Sequence, residues 1–221
     1  MRKLAWLLLV AAIVLPACHH GRISGVKGSG KREVQKREVA QFTSISTEGA
    51  FEIQVTCQKQ PSLEIEADDN IIDLITTDVS NNVLRLSNSK GYSVSEPVKI
   101  KISVPNLEEL SVTGAGSIDI KDMNNESFKI DSDGAPSITV AGTTKLINID
   151  ASGAGSIDTH KLRASRAVVE SNGVSKVELD VKEQLDVKVS GPSTVFYRGD
   201  PVVNKTVNGP GSVQRRGSEG A

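Results

Sequence analysis

The stretch Thr113-Gly-Ala-Gly-Ser-Ile118 is the first of six similar segments in this chain. The other five begin at Asp133, Ser152, Asn172, Ser190 and Asn208, and each ends in isoleucine or valine. An earlier, looser copy adds a seventh glycine, so that the aligned glycines are Gly49, Gly114, Gly134, Gly153, Gly173, Gly191 and Gly209. The last six are separated by 18 to 20 residues. A period of this length is typical of stacked structural repeats.

Apolar residues keep fixed distances from each glycine. Four residues after it stand Ile118, Ile138, Ile157, Val177, Val195 and Val213. Four residues before it stand Leu110, Ile130, Ile149, Val169 and Val187, until Lys205 breaks the series. Six residues before it stand Phe128, Ile147, Ala167, Leu185 and Val203. Because apolar and polar residues alternate within each unit, the pattern predicts strands with one buried face.

A unit of about 20 residues is too small to enclose its own core, so like columns must stack on one another. The pattern therefore predicts an all-β protein, a right-handed parallel β-helix (β-solenoid) with coils of about 18–20 residues and an irregular N-terminal cap. A propeller blade needs roughly twice this period. A leucine-rich repeat would show leucine columns and an asparagine ladder, and the chain has neither.

The repeated glycine has a structural explanation, since glycine lets a chain turn or approach another backbone closely. A dinucleotide-binding loop needs a third glycine and a following helix, but Asp119 and the residues after it continue a strand pattern. The calcium-binding nonapeptide begins with a pair of glycines, which no copy here has. We therefore expect no cofactor at these turns.

Residues 1–17 read as a lipoprotein signal peptide. Arg2 and Lys3 precede the apolar run from Leu4 to Leu15, which is too short to span a bilayer comfortably. The sequence Leu15-Pro-Ala-Cys18 resembles the bacterial lipobox, in which the cysteine becomes the lipidated first residue of the mature protein. We expect export, lipidation of Cys18, and a location at the outer membrane or cell surface rather than the inner membrane.

The other segments follow from composition. Residues 18–39 are glycine-rich and basic, which predicts a flexible tether, and residues 40–214 form the β-helix domain. Asn70 to Asp78 predicts a short helix capped by Asn70. Residues 215–221 are predicted to be a disordered tail. Cys57 is left as a lone cysteine on an alternating apolar face and is predicted to be a buried thiol.

Three stretches together resemble a known bacterial family. They are Phe42-Thr-Ser-Ile-Ser, Gly49-Ala-Phe-Glu-Ile-Gln-Val, and the run from Val104-Pro-Asn-Leu-Glu-Glu-Leu through Gly114-Ala-Gly-Ser-Ile118. They are similar to the family labelled putative auto-transporter adhesin, head GIN domain, over roughly residues 40 to 214. The resemblance implies an exported β-helical domain, often on lipoproteins. It brings no catalytic residues with it.

The best candidate for chemistry is the column three residues before the glycine, here called the acidic column: Asp131, Asp150 and Glu170, followed by Lys188. Stacked acids with a basic residue are similar to the sites of calcium-dependent polysaccharide lyases, but a solvated outer face explains the pattern equally well. We interpret His160 as an exposed loop residue without a nucleophile pattern. Tyr92 and Tyr197 are the conceivable aromatic contacts for a sugar.

A formal net charge of −1 gives no reason to expect nucleic acid as a partner. The sequence favours a non-enzymatic, lipid-anchored envelope protein that acts as an adhesin or structural module, with an envelope polymer, glycan or surface protein as its partner. A carbohydrate-active or glycan-binding β-helix is the alternative, which a concave groove lined by acids and a basic residue would favour. A periplasmic module that regulates envelope stress is a third.

Overall fold

A computed structural model of the chain describes residues 25–217. These residues form seventeen β-strands and one 3₁₀ helix, Ile72–Leu74, and no α-helix occurs among them. The strands are β1 Val26–Lys27, β2 Arg32–Arg37, β3 Ser44–Gly49, β4 Phe51–Thr56, β5 Ser62–Asp68, β6 Ile75–Ser80, β7 Val83–Asn88, β8 Tyr92–Ser93, β9 Val98–Ser103, β10 Glu109–Gly114, β11 Ser117–Gly134, β12 Ser137–Ala151, β13 Ser156–Ser171, β14 Lys176–Ser190, β15 Thr194–Arg198, β16 Val202–Asn208 and β17 Ser212–Arg215. No helix in this range is long and apolar enough to cross a membrane.

The strands wind into a β-solenoid of about five turns, as the repeat predicts. Each full coil runs along one sheet up to the glycine, turns, and continues along a second sheet. We call these the pre-glycine face and the post-glycine face. In the middle coils a short third face joins the two, as where Met123 pairs with Gly142. Long strands such as β11 bend around these corners and therefore contribute to more than one face.

The pairing register matches the columns read from the sequence. Ile118 pairs with Ile138, and the same column continues without a shift through β13, β14, β15 and β17. The columns four and six residues before the glycine are likewise in register. Ile138, Ile157 and Val177 are almost completely buried. Because parallel pairing places identical side chains above one another, each coil extends the same apolar core.

The turn glycines are required by the distance between coils. A Cβ atom on Gly153 would lie 2.0 Å from the carbonyl oxygen of Gly134, and one on Gly173 would lie 2.1 Å from that of Gly153. Gly114 and Gly134 also have positive φ angles, of 124° and 130°. Stacking and backbone conformation thus both select glycine at this corner.

The N-terminal cap, residues 25–108, has a less regular topology. β3 lies between β7 and β10, and β4 lies between β9 and β11. The first coil in the sequence is therefore not the first in the stack, because the chain passes beyond it and then returns. Antiparallel strands close this end, with β6 beside β7 and β2 as the outer strand beside β5.

The helix predicted from Asn70 to Asp78 is wrong except for one 3₁₀ turn, which is followed directly by β6. Asn70 is not its cap: its side chain accepts a hydrogen bond from the backbone of Ser29 and donates one to the carbonyl of Lys27. The guanidinium of Arg37 donates to the carbonyls of Ile72 and Ile75, which competes with continued helical bonding there. The run Ile75-Thr-Thr77 also favours a strand.

The tether predicted over residues 18–39 is wrong for its second half, which is ordered. β1 pairs with β8, and β2 is hydrogen-bonded along its whole length to β5. Arg32 donates to the carbonyls of Glu66 and Pro97, and it forms an ion pair with Asp68 at 3.4 Å. The basic composition of this segment is the reason to predict a tether. Some of its basic residues instead attach the segment to the cap.

The opposite end of the solenoid consists of β16 and β17, each paired on one side only among the described residues. Lys205 stands at the core position that apolar residues occupy in earlier coils, and it is exposed. A lysine on an edge strand opposes the addition of a further strand. The disordered tail predicted from residue 215 is wrong for its first two residues, since Arg215 ends β17 and the backbone N–H of Arg216 donates to the carbonyl of Tyr197.

Candidate functional site

The acidic column lies on the outside of the pre-glycine face. Asp131 pairs with Asp150, Asp150 with Glu170, and Glu170 with Lys188, so the four side chains occupy successive coils. The side chains of Asp131 and Glu170 are 49% and 48% exposed. The column is therefore a surface stripe and not the floor of a closed pocket.

The lysines beside the acidic column make only long ion pairs with its carboxylates. Lys129 lies 3.9 Å from Asp131 but only 3.0 Å from Glu109. The hydrogen bond and charge of Glu109, with smaller contributions from Asp131 and Asp150, raise the pKa of Lys129. Lys188 lies 3.8 Å from Glu170. Most of the hydrogen-bonding capacity of these carboxylates therefore faces water.

A second group of side chains lies on the post-glycine face towards the C-terminal end. This charged cluster consists of Asp158, His160, Lys176, Glu178, Phe196 and Arg216. Glu178 binds Lys176 at 2.6 Å through one carboxylate oxygen and Arg216 at 3.0 Å through the other. The Arg216 guanidinium lies 3.7 Å from the centroid of the Phe196 ring. The carboxylate and the ring are thus both covered by cations from the protein itself.

Hydrogen bonds set the electrostatics of the charged cluster. The hydrogen bond from Lys176 is the main reason why the pKa of Glu178 is lowered. Burial alone would raise the pKa of Asp158, but the hydrogen bonds from His160, together with the charges of His160 and Lys176, outweigh it and lower that pKa. Both carboxylates are therefore stabilised in the charged form.

Asp158, His160 and Glu178 each offer one ligand atom, and these atoms lie within 4.8 Å of one another. A divalent cation bound there through one oxygen of Glu178 would compete with Lys176 or with Arg216 for that oxygen. The charged cluster therefore has the properties of a closed ion-pair network rather than of a vacant metal cage.

The interpretation of His160 as an exposed loop residue is wrong. His160 lies within β13, its side chain is 24% exposed, and its Nδ1 atom is hydrogen-bonded to Asp158. The signal that could have revealed the cluster is the column five residues after the glycine. It contains Asp119, Thr139, Asp158, Glu178, Phe196 and Gln214.

A concave site, here called the corner cleft, lies where the cap meets the first regular coil. Its volume is about 620 Å³, and it is lined by Asn106, Glu108, Asn124, Asn125, Glu126 and Ser127. Asn125 donates to the carbonyl of Leu107 at 2.6 Å, while its own Oδ1 atom is buried without a hydrogen-bond partner. Lys145 forms an ion pair with Glu126 at 2.7 Å. The cleft could not be predicted from the sequence. Residues 104–108, which connect the cap to the first regular coil, are not part of the repeat.

The aromatic side chains do not form an open platform in the described part of the chain. Phe42, Phe51 and Phe128 belong to the core. Tyr92 and Tyr197 are partly buried against it, and burial raises the pKa of Tyr92. Cys57 is also buried, and burial together with the charge of Asp122 raises the pKa of its thiol to about 11. The expected lipidation residue, Cys18, lies outside the described residues.

The stacked coils and their polar outer faces define a β-solenoid protein. Residues 41–201 match the family described as "Putative auto-transporter adhesin, head GIN domain", and the chain belongs to this family. The adhesin description of the family, which a similar solved structure shares, indicates an exported or surface protein. A comparison with curated protein sequences finds no match.

Solved structures of the same fold include proteins from Bacteroides fragilis and from two Parabacteroides species. A "putative adhesin" from Bacteroides fragilis is 25% identical, with a TM-score of 0.70 over 87% of this chain and 100% of that one. A "putative adhesin" from Parabacteroides merdae is 17% identical, with a TM-score of 0.54 over 87% and 99% of the two chains. A "putative lipid binding protein" from Parabacteroides distasonis is 20% identical, with a TM-score of 0.50 over 87% and 99%. At these lower identities the likeness shows the fold alone.

Proposed function

We propose that this chain is a non-enzymatic, lipid-anchored envelope protein that binds a partner through its pre-glycine face. Cys18 carries the lipid, and the acidic column Asp131, Asp150 and Glu170 makes the central contact. The observation that carries the proposal is the contrast between the two charged groups of the surface. The charged cluster is held by contacts of 2.6 and 3.0 Å to Glu178. The acidic column has longer contacts, of 3.4 Å from Ser152 to Asp150, 3.8 Å from Lys188 to Glu170 and 3.9 Å from Lys129 to Asp131.

The carboxyl groups whose pKa is clearly shifted among the described residues have structural roles. A general acid for sugar chemistry needs a raised pKa. The carboxyl groups with a shifted pKa among the described residues are Asp69, Asp158 and Glu178, and all three are shifted downwards. Such shifts are typical of ion pairs and hydrogen-bonded carboxylates, which hold structure together.

The spacing of the acidic column suggests the chemistry of its partner. Carboxylates on neighbouring coils are about 4.8 Å apart along the stack. A flexible or repeating partner with ammonium or guanidinium groups can contact several of them at once. Each contact on an exposed surface is weak, so binding would depend on their number. We therefore propose a basic protein segment or an amino-bearing envelope polymer as the partner.

The test is an array of envelope polymers, glycans and basic peptides probed with the purified domain. In the variant Asp131→Asn/Asp150→Asn/Glu170→Gln, capture of a bound ligand should fall by about tenfold or more, equivalent to roughly 1.4 kcal/mol. Binding to the unaltered protein should also weaken as salt is raised.

The matched control is Glu33→Gln/Glu96→Gln/Glu183→Gln, which removes the same charge from exposed positions elsewhere. It should retain capture. If both triple variants lost binding equally, net charge and not the acidic column would be responsible. If the array yielded ligands that the column variant still bound normally, the proposed face would be wrong.

The corner cleft favours a second candidate, glycan binding. Amides and carboxylates such as Asn106, Glu108 and Asn124 are suited to hydrogen-bonding the hydroxyl groups of a sugar, and the cleft is concave. This function would be supported if Glu108→Gln/Asn124→Ala, but not the acidic-column variant, abolished capture of a neutral glycan. Size-exclusion chromatography would show whether the glycan becomes shorter on incubation with the protein. Shortening would indicate that the protein is an enzyme.

A further inference from the structure

The segment that leads into the domain is attached to the N-terminal cap from its first described residues. The backbone N–H groups of Val26 and Gly28 donate to the carbonyls of Gly91 and Ser93. Gly30 donates to the buried carboxylate of Asp68 at 2.9 Å. A Cβ atom on Gly28 would lie only 2.1 Å from that carboxylate. The segment therefore lies closely against the cap.

This attachment shortens any tether to the proposed lipid. Seven residue steps separate Cys18 from Gly25. Whatever its conformation, a chain of that length spans at most about 25 Å. A tether extending to residue 39 would span about 75 Å and would allow the domain to take any orientation.

The length of the solenoid decides which ends can approach the membrane. On the post-glycine face, nine strand-to-strand steps separate β2, beside the attachment, from β17 at the other end. At about 4.8 Å per step the two strands are about 43 Å apart. Because 43 Å exceeds 25 Å, the C-terminal coil cannot rest on the bilayer while Cys18 is inserted in it.

A domain lying on its side would still satisfy the tether. Resting on the pre-glycine face would press the acidic column against the leaflet. A leaflet rich in anionic lipid repels such a surface. Of the two end-on orientations, the one with the N-terminal cap towards the membrane keeps the tether within reach, and it also keeps the acidic column free.

We propose that the N-terminal cap is the membrane-facing surface, and that the coils from β11 onwards project away from the lipid with the acidic column accessible. This inference rests on the proposed lipidation of Cys18. It assigns the cap end of the solenoid and the side of its middle coils to different partners. The cap end faces the lipid headgroups, and the acidic column on the side of the middle coils faces the ligand.

The experiment uses full-length lipidated protein in vesicles that contain lipids with nitroxide headgroups. A fluorophore is placed on Lys31→Cys beside the cap, Ser152→Cys in the middle coils, or Asn208→Cys in the last coil. All three positions are exposed, and the buried, protonated Cys57 thiol should contribute little labelling. Unaltered protein treated with the same reagent measures that background.

Loss of fluorescence should be largest at position 31, smaller at 152 and smallest at 208. Equal quenching at the three positions, in protein that floats with the vesicles, would mean that the domain lies flat and would overturn the orientation alone. Stronger quenching at 208 than at 31 would also overturn it. Protein that fails to float with vesicles would overturn the lipid anchor, and the orientation with it.

Discussion

The repeat region from β10 onwards and the N-terminal cap are parts of one stack, but they are held together differently. In the repeats, side chains contact copies of themselves, as where Ile138 lies between Ile118 and Ile157. In the cap, long polar side chains cross between segments, as where Arg37 reaches the carbonyls of Ile72 and Ile75. The difference shows that coils which stack on copies of themselves repeat their residues at a fixed spacing in the sequence. Contacts between unlike segments of the cap produce no such repeat.

The largest effect should follow from a cavity in the repeat core. Ile138→Ala removes buried methylene groups from a fully buried position and should lower the free energy of unfolding by about 2–4 kcal/mol. Urea denaturation of the purified domain measures this. The neighbouring exposed change Ser137→Ala should be close to neutral. A larger loss at Ser137 than at Ile138 would mean that the inner and outer faces are interchanged.

The next effect concerns the close approach of the coils. Gly173→Ala places a Cβ atom against the backbone of Gly153 and should cost about 2–3 kcal/mol through forced separation of the strands. The control is Gly91→Ala, where a Cβ atom would meet nothing within 4 Å. Denaturation midpoints should separate the two variants clearly. A neutral Gly173→Ala would contradict the stacked-turn explanation.

A smaller loss should follow from removing a brace in the cap. Arg37→Met leaves the carbonyls of Ile72 and Ile75 without their donor and should cost about 1–2 kcal/mol, since water can replace part of the bonding. Hydrogen exchange should locate the added mobility in β2 and β6. Lys36→Met, at an exposed position of the same strand, should leave both measurements unchanged. If protection from hydrogen exchange were lost evenly over the repeats as well, the cap would not be stabilised separately by Arg37.

The smallest effect should be seen on the acidic column. Asp150→Asn should change the free energy of unfolding by no more than about 0.5 kcal/mol, because the side chain faces water. Millimolar calcium should leave the melting temperature unchanged, since one carboxylate per coil supplies only part of the six to eight oxygen ligands that calcium needs. A rise of several degrees with calcium that disappears in Asp150→Ala would favour the lyase-like alternative.

The same difference between the two regions explains what could be predicted from the sequence. The repeat places Ile118, Ile138 and Asp150 on their faces and in their register before any coordinates are known. The charged cluster could have been predicted from the same alignment of repeats. It was missed because Asp158 and Glu178, taken one at a time, look like ordinary solvated residues. Arg37 and Asn70 could not be placed, since their partners are backbone groups of distant segments with no side-chain pattern.

Membrane attachment through Cys18 is the central functional claim and can be tested directly. Cells expressing the full chain or Cys18→Ser are fractionated, and the protein is followed in membrane and soluble fractions, with intact mass used to detect lipid on the membrane form. The wild-type protein should be found in membranes with lipid on Cys18, and Cys18→Ser should be soluble or remain unprocessed without lipid. Wild-type protein that is soluble and carries no lipid would contradict the claim.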